Sequence, residues 1–475
     1  MSKLLISQVE NHKGNFGEAL RSSAVFYFIQ NETFTTTISF LNYWFVRREL
    51  EVTVLISLRD LDGNLIHRQK ALFNDGMVYN YIPDTDLTEG SIEVEVFSIE
   101  NLVIPYAAVM AVYQSEESVS MVHSYSRTYS PHEIEEKRTI TKGRESCWTI
   151  KDDLNVSSFC IMHNGSVNKA AQKCELNILT NQSVKHTFKI EIPELRPFST
   201  YRLNLKDHVP ELIVLLNGDS ANASLSFELE NSFTRLLVGN YNKNTSELQV
   251  THSNFNYQEH ATDNVDAENP SAYMSLINLP EHNLKVIIYP DMAEGNYSVQ
   301  NGSEHITFSN DIRSEYSPKE SLQVFKTESG RLPSRIVTAF SAGLPKKLPF
   351  ECSLGVIHEK RPPKRMWWGL VGNENRLKSR LFLTINDNIY GKVADQPIFI
   401  RLYSAKSNDY IEAKCSISQI IANNGYIYIS DLFDSVSDFL ANEFGYFTLY
   451  SEYGGYFVYS SLENETGSIT IEHGF

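Results

Sequence analysis

Short runs of alternating apolar and polar residues recur along most of the chain. Examples are AVFYFIQN from residue 24, ELEVTVLISLRD from residue 49 and RLLVGNYN from residue 235. A period of two places successive side chains on opposite faces of a β-strand, so each run predicts one strand. The pair Asp62-Gly63 between two runs predicts a tight hairpin, because glycine accepts the positive φ of such turns. The pattern as a whole predicts an antiparallel, all-β protein.

One longer phrase occurs three times, at 90–124, 218–253 and 443–475. Each copy reads as strands separated by turns, and the last strand of each copy ends in a histidine: His123, His252 and His473. The segments that precede the copies also keep a common order of strands. Solenoid and propeller repeats are shorter than this, so each repeat corresponds to one sandwich. We therefore predict three related antiparallel β-sandwich domains in tandem.

The boundaries follow from where the strand pattern stops and resumes. They are 1–130 for repeat 1, 131–147 for a charged linker, 148–253 for repeat 2, 254–345 for an acidic loop and an extra strand-rich segment, and 346–475 for repeat 3. One helix is predicted in the third repeat, within DLFDSVSDFLANEFG. Asp431 is its expected N-cap, and Leu432 and Val436 belong to its apolar stripe.

Composition agrees with this fold class and limits the partners. The 475 residues include 25 Tyr and 26 Phe, and such flat side chains pack well on a pleated sheet. The formal net charge of −16 opposes binding to nucleic acid or to an anionic membrane. Five cysteines without CxxC spacing do not form a disulfide framework, and the first residues lack the apolar run of a signal sequence. We expect a cytoplasmic protein without a nucleic-acid or membrane partner.

Common catalytic signatures are missing from the sequence. It contains no Gly-x-Ser-x-Gly elbow, no phosphate-binding P-loop, no dinucleotide glycine fingerprint and no His-Glu-x-x-His. Their absence weakens the case for common hydrolases, kinases and nicotinamide enzymes. An enzyme whose site is assembled from distant residues stays open.

The histidines that end the repeats are the first candidates for a functional site. Imidazoles and carboxylates are the ligands that zinc, manganese or iron take at neutral pH. If the sandwiches pack around a pseudo-threefold axis, His123, His252 and His473 would converge on a metal ion, and His358 and His163 are further candidate ligands. The alternative is structural: a histidine at the end of a strand can simply hydrogen bond to a neighbouring carbonyl, and repeats copy structural residues as readily as functional ones.

The second candidate is the segment HEKRPPKRMWWG, which begins at residue 358 and is basic in an acidic protein. Cations beside an aromatic face suit a ligand that carries a carboxylate or phosphate together with a sugar or base. The predicted ligand-binding residues are Arg361, Lys364, Arg365, Trp367 and Trp368. Adjacent residues of a strand point to opposite faces, so one tryptophan is expected in the core. The alternative is a proline turn whose cations offset neighbouring acids.

These observations support two classes of function. The leading hypothesis is a non-catalytic β-sandwich binding or assembly protein, without a cofactor, that recognises a glycan, a small molecule or a protein partner and can form a homo-oligomer. The alternative is a metal-dependent enzyme, in which a divalent transition metal in a histidine cluster between the repeats activates water and acts on a sugar or another small metabolite. The distance between the three repeat-ending histidines bears directly on this choice.

Overall fold

The computed structural model shows an all-β protein made of antiparallel sheets, with short helices in some connections. The structure describes residues 20–73, 75–99, 108–130, 133, 140–253, 271–289, 295–309, 314–330, 336–356, 363–373, 375–385 and 387–475. The predicted fold class, antiparallel β-sandwiches, is confirmed. Among these residues, no helix is long and apolar enough to cross a membrane.

The first sandwich contains eight strands in two sheets. They are β1 (Leu20–Ile29), β2 (Thr35–Leu41), β3 (Thr53–Asp60), β4 (Leu65–Ala71), β5 (Val78–Tyr81), β6 (Glu89–Ser98), β7 (Met110–Gln114) and β8 (Val119–His123), with helix α1 (Tyr43–Arg48) after β2. The order is β1-β6-β3-β4 in one sheet and β5-β2-β7-β8 in the other. We call the first kind of sheet the outer sheet of a sandwich and the second kind its inner sheet.

The second sandwich follows a short strand, β9 (Ser126–Thr128), that pairs with β1. Its elements are β10 (Ile140–Ile150), β11 (Val156–His163), β12 (Gln172–Leu179), β13 (Lys185–Ile192), β14 (Thr200–Asn204), α2 (Leu205–His208), α3 (Leu212–Leu216), β15 (Ala221–Glu230), β16 (Ser232–Thr234), β17 (Leu237–Asn242) and β18 (Glu247–His252). The outer sheet is β10-β15-β12-β13 and the inner sheet is β14-β11-β17-β18. Strand β16 pairs with β9, so one sheet runs from the first sandwich into the second.

The third and fourth sandwiches complete the described chain. The third contains β19 (Ser271–Ser275), β20 (Lys285–Ile288), β21 (Gly295–Asn301), β22 (Glu304–Ser309), β23 (Ser314–Tyr316), β24 (Leu322–Gly330), β25 (Ile336–Ala342) and β26 (Phe350–Val356). The fourth contains β27 (Met366–Val371), β28 (Leu377–Ile385), α4 (Asp387–Tyr390), β29 (Pro397–Tyr403), β30 (Ile411–Ser416), α5 (Ile417–Ala422), β31 (Tyr426–Tyr428), α6 (Ile429–Leu432), α7 (Val436–Leu440), β32 (Gly445–Ser451), β33 (Tyr456–Asn464) and β34 (Ile469–His473). The single helix predicted near Asp431 is thus two short helices.

All four sandwiches have one strand order. The outer sheets of the third and fourth are β19-β24-β21-β22 and β27-β32-β29-β30, and the inner sheets are β23-β20-β25-β26 and β31-β28-β33-β34. The segment predicted as extra strands therefore supplies most of a unit with the same topology. Its repeat is hidden in the sequence because seven residues, 343–349, connect its last two strands, whereas four residues do so in the others. Strand β10 begins at Ile140, inside the segment predicted as a linker.

Each sandwich encloses its own apolar core, which explains the alternation in the sequence. In the second sandwich, Trp148 and Leu176 of the outer sheet pack with Met162 and Val238 of the inner sheet. Face-to-face packing of two antiparallel sheets requires one apolar face on each, and a period of two supplies it. The core of the first sandwich also includes Trp368, so the first and fourth sandwiches share apolar contacts.

Candidate functional site

The four inner sheets meet through their last strands. Strand β8 contacts β18, β18 contacts β26, β26 contacts β34, and β34 contacts β8. Each of these strands is the edge of its inner sheet. We call this closed arrangement of β8, β18, β26 and β34 the edge-strand circle. It replaces the pseudo-threefold arrangement that three repeats had suggested.

Side chains, rather than a paired strand, satisfy the free backbone groups at these edges. The backbone N–H groups of Val119 and Met121 on β8 donate to Ser468 Oγ and Thr470 Oγ1, each over 3.2 Å. Both acceptors belong to or directly precede β34. Because both the donors and the acceptors are spaced by two residues, they lie on facing sides of the two strands.

The same scheme operates at other joints of the circle. The N–H groups of Leu248 and Val250 on β18 donate to Ser118 Oγ and Ser120 Oγ, over 3.0 and 2.9 Å. The N–H of Leu348, just before β26, donates to Glu247 Oε2 over 3.1 Å. An exposed edge strand is a template for aggregation, and buried N–H groups without acceptors are costly. The circle removes both problems at once.

The three repeat-ending histidines converge at one end of the circle. One ring nitrogen each from His123, His252 and His473 lies within 4.8 Å of the other two. The imidazole of His123 lies between the others, with ring centroids 4.4 Å from His252 and 5.0 Å from His473. The side chain of Phe475 covers the cluster, with its centroid 4.7 Å from that of His123. Each histidine comes from a different sandwich.

Hydrogen bonds orient the three imidazoles. Nδ1 of His252 lies 2.8 Å from the carbonyl oxygen of Ser253, and Nδ1 of His473 lies 3.4 Å from that of Gly474. A carbonyl only accepts, so each Nδ1 carries the proton and each Nε2 keeps its lone pair. Nδ1 of His123 lies 3.2 Å from Glu472 Oε2. The predicted bond between a strand-ending histidine and a carbonyl is therefore present, and it leaves the other nitrogen available.

Burial keeps these imidazoles neutral. It lowers the pKa of His123 to about 3 and that of His473 to about 4. Burial also lowers the pKa of His252 far below its usual value, and the neighbouring His123 adds to this effect. The charge of Arg235 acts in the same direction on His123 and His252. Burial raises the pKa of Glu472 to about 7. Three neutral imidazoles with oriented lone pairs can bind a metal cation or accept hydrogen bonds.

His163, the other candidate ligand described, lies apart from this cluster. It is buried, with Nε2 2.8 Å from the hydroxyl of Tyr125 and Nδ1 2.9 Å from Thr200 Oγ1. Tyr125 in turn accepts from the backbone N–H of Tyr27 over 2.9 Å. Both nitrogens of His163 are therefore engaged in a network between the first two sandwiches.

A pH-dependent stability is expected from His163. Burial lowers its pKa to about 3, whereas the unfolded chain takes a proton near pH 6.5. Its contribution is thus present above pH 6.5 and is lost as the pH falls toward 3. When the pH falls from 7 to 5, the free energy of unfolding of the wild type should decrease by about 2 kcal/mol more than that of His163→Gln. Urea denaturation at the two pH values measures this difference. The same substitution at the exposed His67 should show no comparable difference, and equal pH profiles of wild type and His163→Gln would contradict the prediction.

The structure places both predicted ligand-binding tryptophans in cores. Trp367 is 6% exposed and packs in the fourth sandwich, and Trp368 is 4% exposed and packs against the first. Lys364 lies over the ring of Trp367, 4.0 Å from its centroid, and burial lowers the pKa of this lysine to about 8. Arg365 is exposed. Arg361 and His358 lie outside the described residues.

Two features of the sequence point to this site. Every second residue is polar at the last strands of the repeats, as in Ser118 and Ser120 or Ser468 and Thr470. In a strand with only one buried face, such residues would face solvent. All four are buried or hydrogen bonded between strands. In addition, the sequence LGVIH at residues 354–358 resembles VSMVH, LQVTH and ITIEH, which lie at the ends of β8, β18 and β34.

Comparisons with known proteins do not place this chain in a family. No family model matches it, and no curated protein matches it. Among solved structures, a chain described with the words "host cell surface retention of a 1.5-MDa bacterial ice-binding adhesin" is 9% identical, with a TM-score of 0.11. That similarity covers 70% of this chain and 96% of the other. With so low a TM-score, it carries no argument about fold or function.

Proposed function

We propose that the chain is a non-catalytic binding or assembly protein in which four sandwiches act as one rigid block. The edge-strand circle supports this proposal, because it joins the last sandwich to the first as well as each sandwich to the next. Such a block holds its outer sheets and loops at constant positions relative to one another. A preorganised surface of this kind suits recognition of a protein or glycan partner, since little conformational entropy is lost on binding.

The circle can be opened by removing one hydroxyl. Thr470→Val keeps the shape of a buried side chain but leaves the N–H of Met121 without its acceptor, so the free energy of unfolding should fall by about 1–3 kcal/mol. Hydrogen exchange should be slow at Val119 and Met121 in the wild type, and it should accelerate at Met121 in the variant. Thr33→Val, in the exposed turn before β2, is the matched control.

Partner binding is tested with the full chain on protein and glycan arrays, together with small-angle scattering. We expect saturable binding and one compact particle for the wild type, and weaker binding once Thr470→Val loosens the circle. Sandwiches that move independently in the wild type would contradict the rigid block. Turnover of a substrate by the purified chain would contradict the non-catalytic assignment.

A metal-dependent enzyme is the second candidate. The observation that favours it is the convergence of three histidines with Glu472, a carboxylate in contact with His123. A metal-bound water beside such a carboxylate is a common arrangement for hydrolysis. Metal-loaded protein screened against sugar esters and other small hydrolysable metabolites distinguishes the two functions. Activity that is lost on Glu472→Gln would favour the enzyme.

A further inference from the structure

We propose that His123, His252 and His473 bind one divalent transition-metal ion of the zinc class, and that this ion clamps three sandwiches at one end of the edge-strand circle. The inference goes beyond the proposed assembly function, because it assigns a ligand to the block. The three histidines are the last residues of β8, β18 and β34, which are equivalent strands of the first, second and fourth sandwiches.

The donor atoms have the arrangement that metal ligands require. A histidine that binds a metal through one nitrogen commonly donates its other N–H to a carbonyl or a carboxylate, which fixes the ring and its tautomer. His252 and His473 have carbonyl partners at Nδ1, and His123 has Glu472. On all three rings these hydrogen bonds involve Nδ1, so Nε2 is the nitrogen that remains to bind a metal ion.

The distances between the histidine nitrogens are close to those between the ligand nitrogens of a bound zinc ion. Zn–N bonds of about 2.0–2.1 Å at tetrahedral angles place ligand nitrogens about 3.3 Å apart. One ring nitrogen of each histidine lies within 4.8 Å of those of the other two, so side-chain movements of about 1 Å would bring the donor atoms to this spacing. Neutral imidazoles suit zinc, copper, nickel or cobalt, whereas calcium and magnesium require a shell of oxygen ligands.

Charged side chains of both signs lie near the cluster. The charges of Arg235 and Lys364 act on these histidines, and Glu472 opposes them. The carboxyl group of Glu472, in contact with His123, would partly balance the charge of a metal cation held by the three imidazoles.

The position of the site gives the ion a structural role. The ion would join β34 to β8 and β18, the equivalent strands of the first two sandwiches. At this joint, His123 contacts Glu472, which lies 349 positions away in sequence. A ligand that binds the folded chain and not the unfolded chain raises the free energy of unfolding by RT ln(1 + [L]/Kd). Metal should therefore raise the melting temperature of the full chain and protect the end of β34 from exchange.

The test uses the full chain after removal of metal with a chelator. Titration with Co²⁺ should give the visible absorption of a tetrahedral nitrogen site, saturating at one ion per chain, and Zn²⁺ should displace it. His252→Gln and His473→Gln should each weaken binding by about 100-fold or more. His163→Gln is the matched control, since it removes a buried histidine outside the cluster and should bind as the wild type does.

The variants must also be shown to fold. Near-ultraviolet circular dichroism without metal should be the same for wild type and both glutamine variants, so that a loss of binding reports on the ligands. If one variant misfolds, the other decides. Saturable Co²⁺ binding that is unchanged in a folded variant would overturn the proposal, and so would a wild type that takes up no more metal than the variants.

Discussion

Replacing Trp368 with alanine is expected to lower the free energy of unfolding by about 3–5 kcal/mol. The indole of Trp368 stacks on Phe475, with centroids 4.7 Å apart, and it also packs against Tyr446 and against Tyr43 of the first sandwich. Its backbone exchanges two hydrogen bonds with Phe475. Alanine would leave a cavity at the joint between the first and fourth sandwiches, where surrounding side chains can relax only in part.

Chemical denaturation of wild type, Trp368→Ala and Trp368→Phe measures this effect. Phenylalanine retains an aromatic ring at the joint and should be less destabilising than alanine. Tyr453→Ala removes an aromatic side chain that is 59% exposed, and it should change stability by no more than about 0.5 kcal/mol. If Trp368→Ala were as stable as the wild type and lost only ligand binding, the prediction would be wrong. Trp368 would then be a ligand-binding residue, as the sequence suggested.

Replacing Gly63 with alanine should lower the free energy of unfolding by about 2–4 kcal/mol. Gly63 has a φ of +87°, which disfavours any side chain. A Cβ at this position would also lie 2.2 Å from the carbonyl oxygen of Pro197 and 2.8 Å from the backbone of Phe198. These are backbone atoms of the second sandwich, so the clash cannot be relieved by turning a side chain.

Gly218→Ala separates the two contributions. Gly218 has the same φ of +87°, but a Cβ there would have no atom within 4 Å. Its replacement should therefore show only the conformational effect, of about 1 kcal/mol. The difference between the two variants, measured by urea denaturation, gives the contribution of the contact between the first two sandwiches. Equal destabilisation would mean that the hairpin does not press on the second sandwich.

The sequence allowed the strands and much of the repeat to be predicted because both depend on local patterns. Alternation along β13 and β29 reflects one more deeply buried face, and the Asp62-Gly63 hairpin reflects a φ that glycine accepts. For the third sandwich the sequence predicts only additional strands, because residues 343–349 lengthen the connection before its last strand and alter the repeat spacing. Its strand order follows from pairing across the sheet, which local pattern does not specify.

The candidate site was predicted in part. The sequence singled out His123, His252 and His473 through their equivalent places in a repeat. It also predicted Trp367 and Trp368 as ligand-binding residues with one of them in the core, whereas the structure buries both. A basic segment beside two tryptophans has the composition of a binding surface. Whether such rings face solvent depends on which neighbouring sandwich covers them, and here the first and fourth sandwiches leave neither ring exposed.

The sequence by itself determined that this protein is built from antiparallel sandwiches and that equivalent strands end in histidine, because strand period and repetition are written in consecutive residues. Only the tertiary structure decided that four edge strands close into a circle and that the three histidines meet within 4.8 Å. That meeting joins residues more than a hundred positions apart. It depends on side-chain hydroxyls that accept hydrogen bonds from the edge of a neighbouring sandwich, a partner that no local pattern identifies.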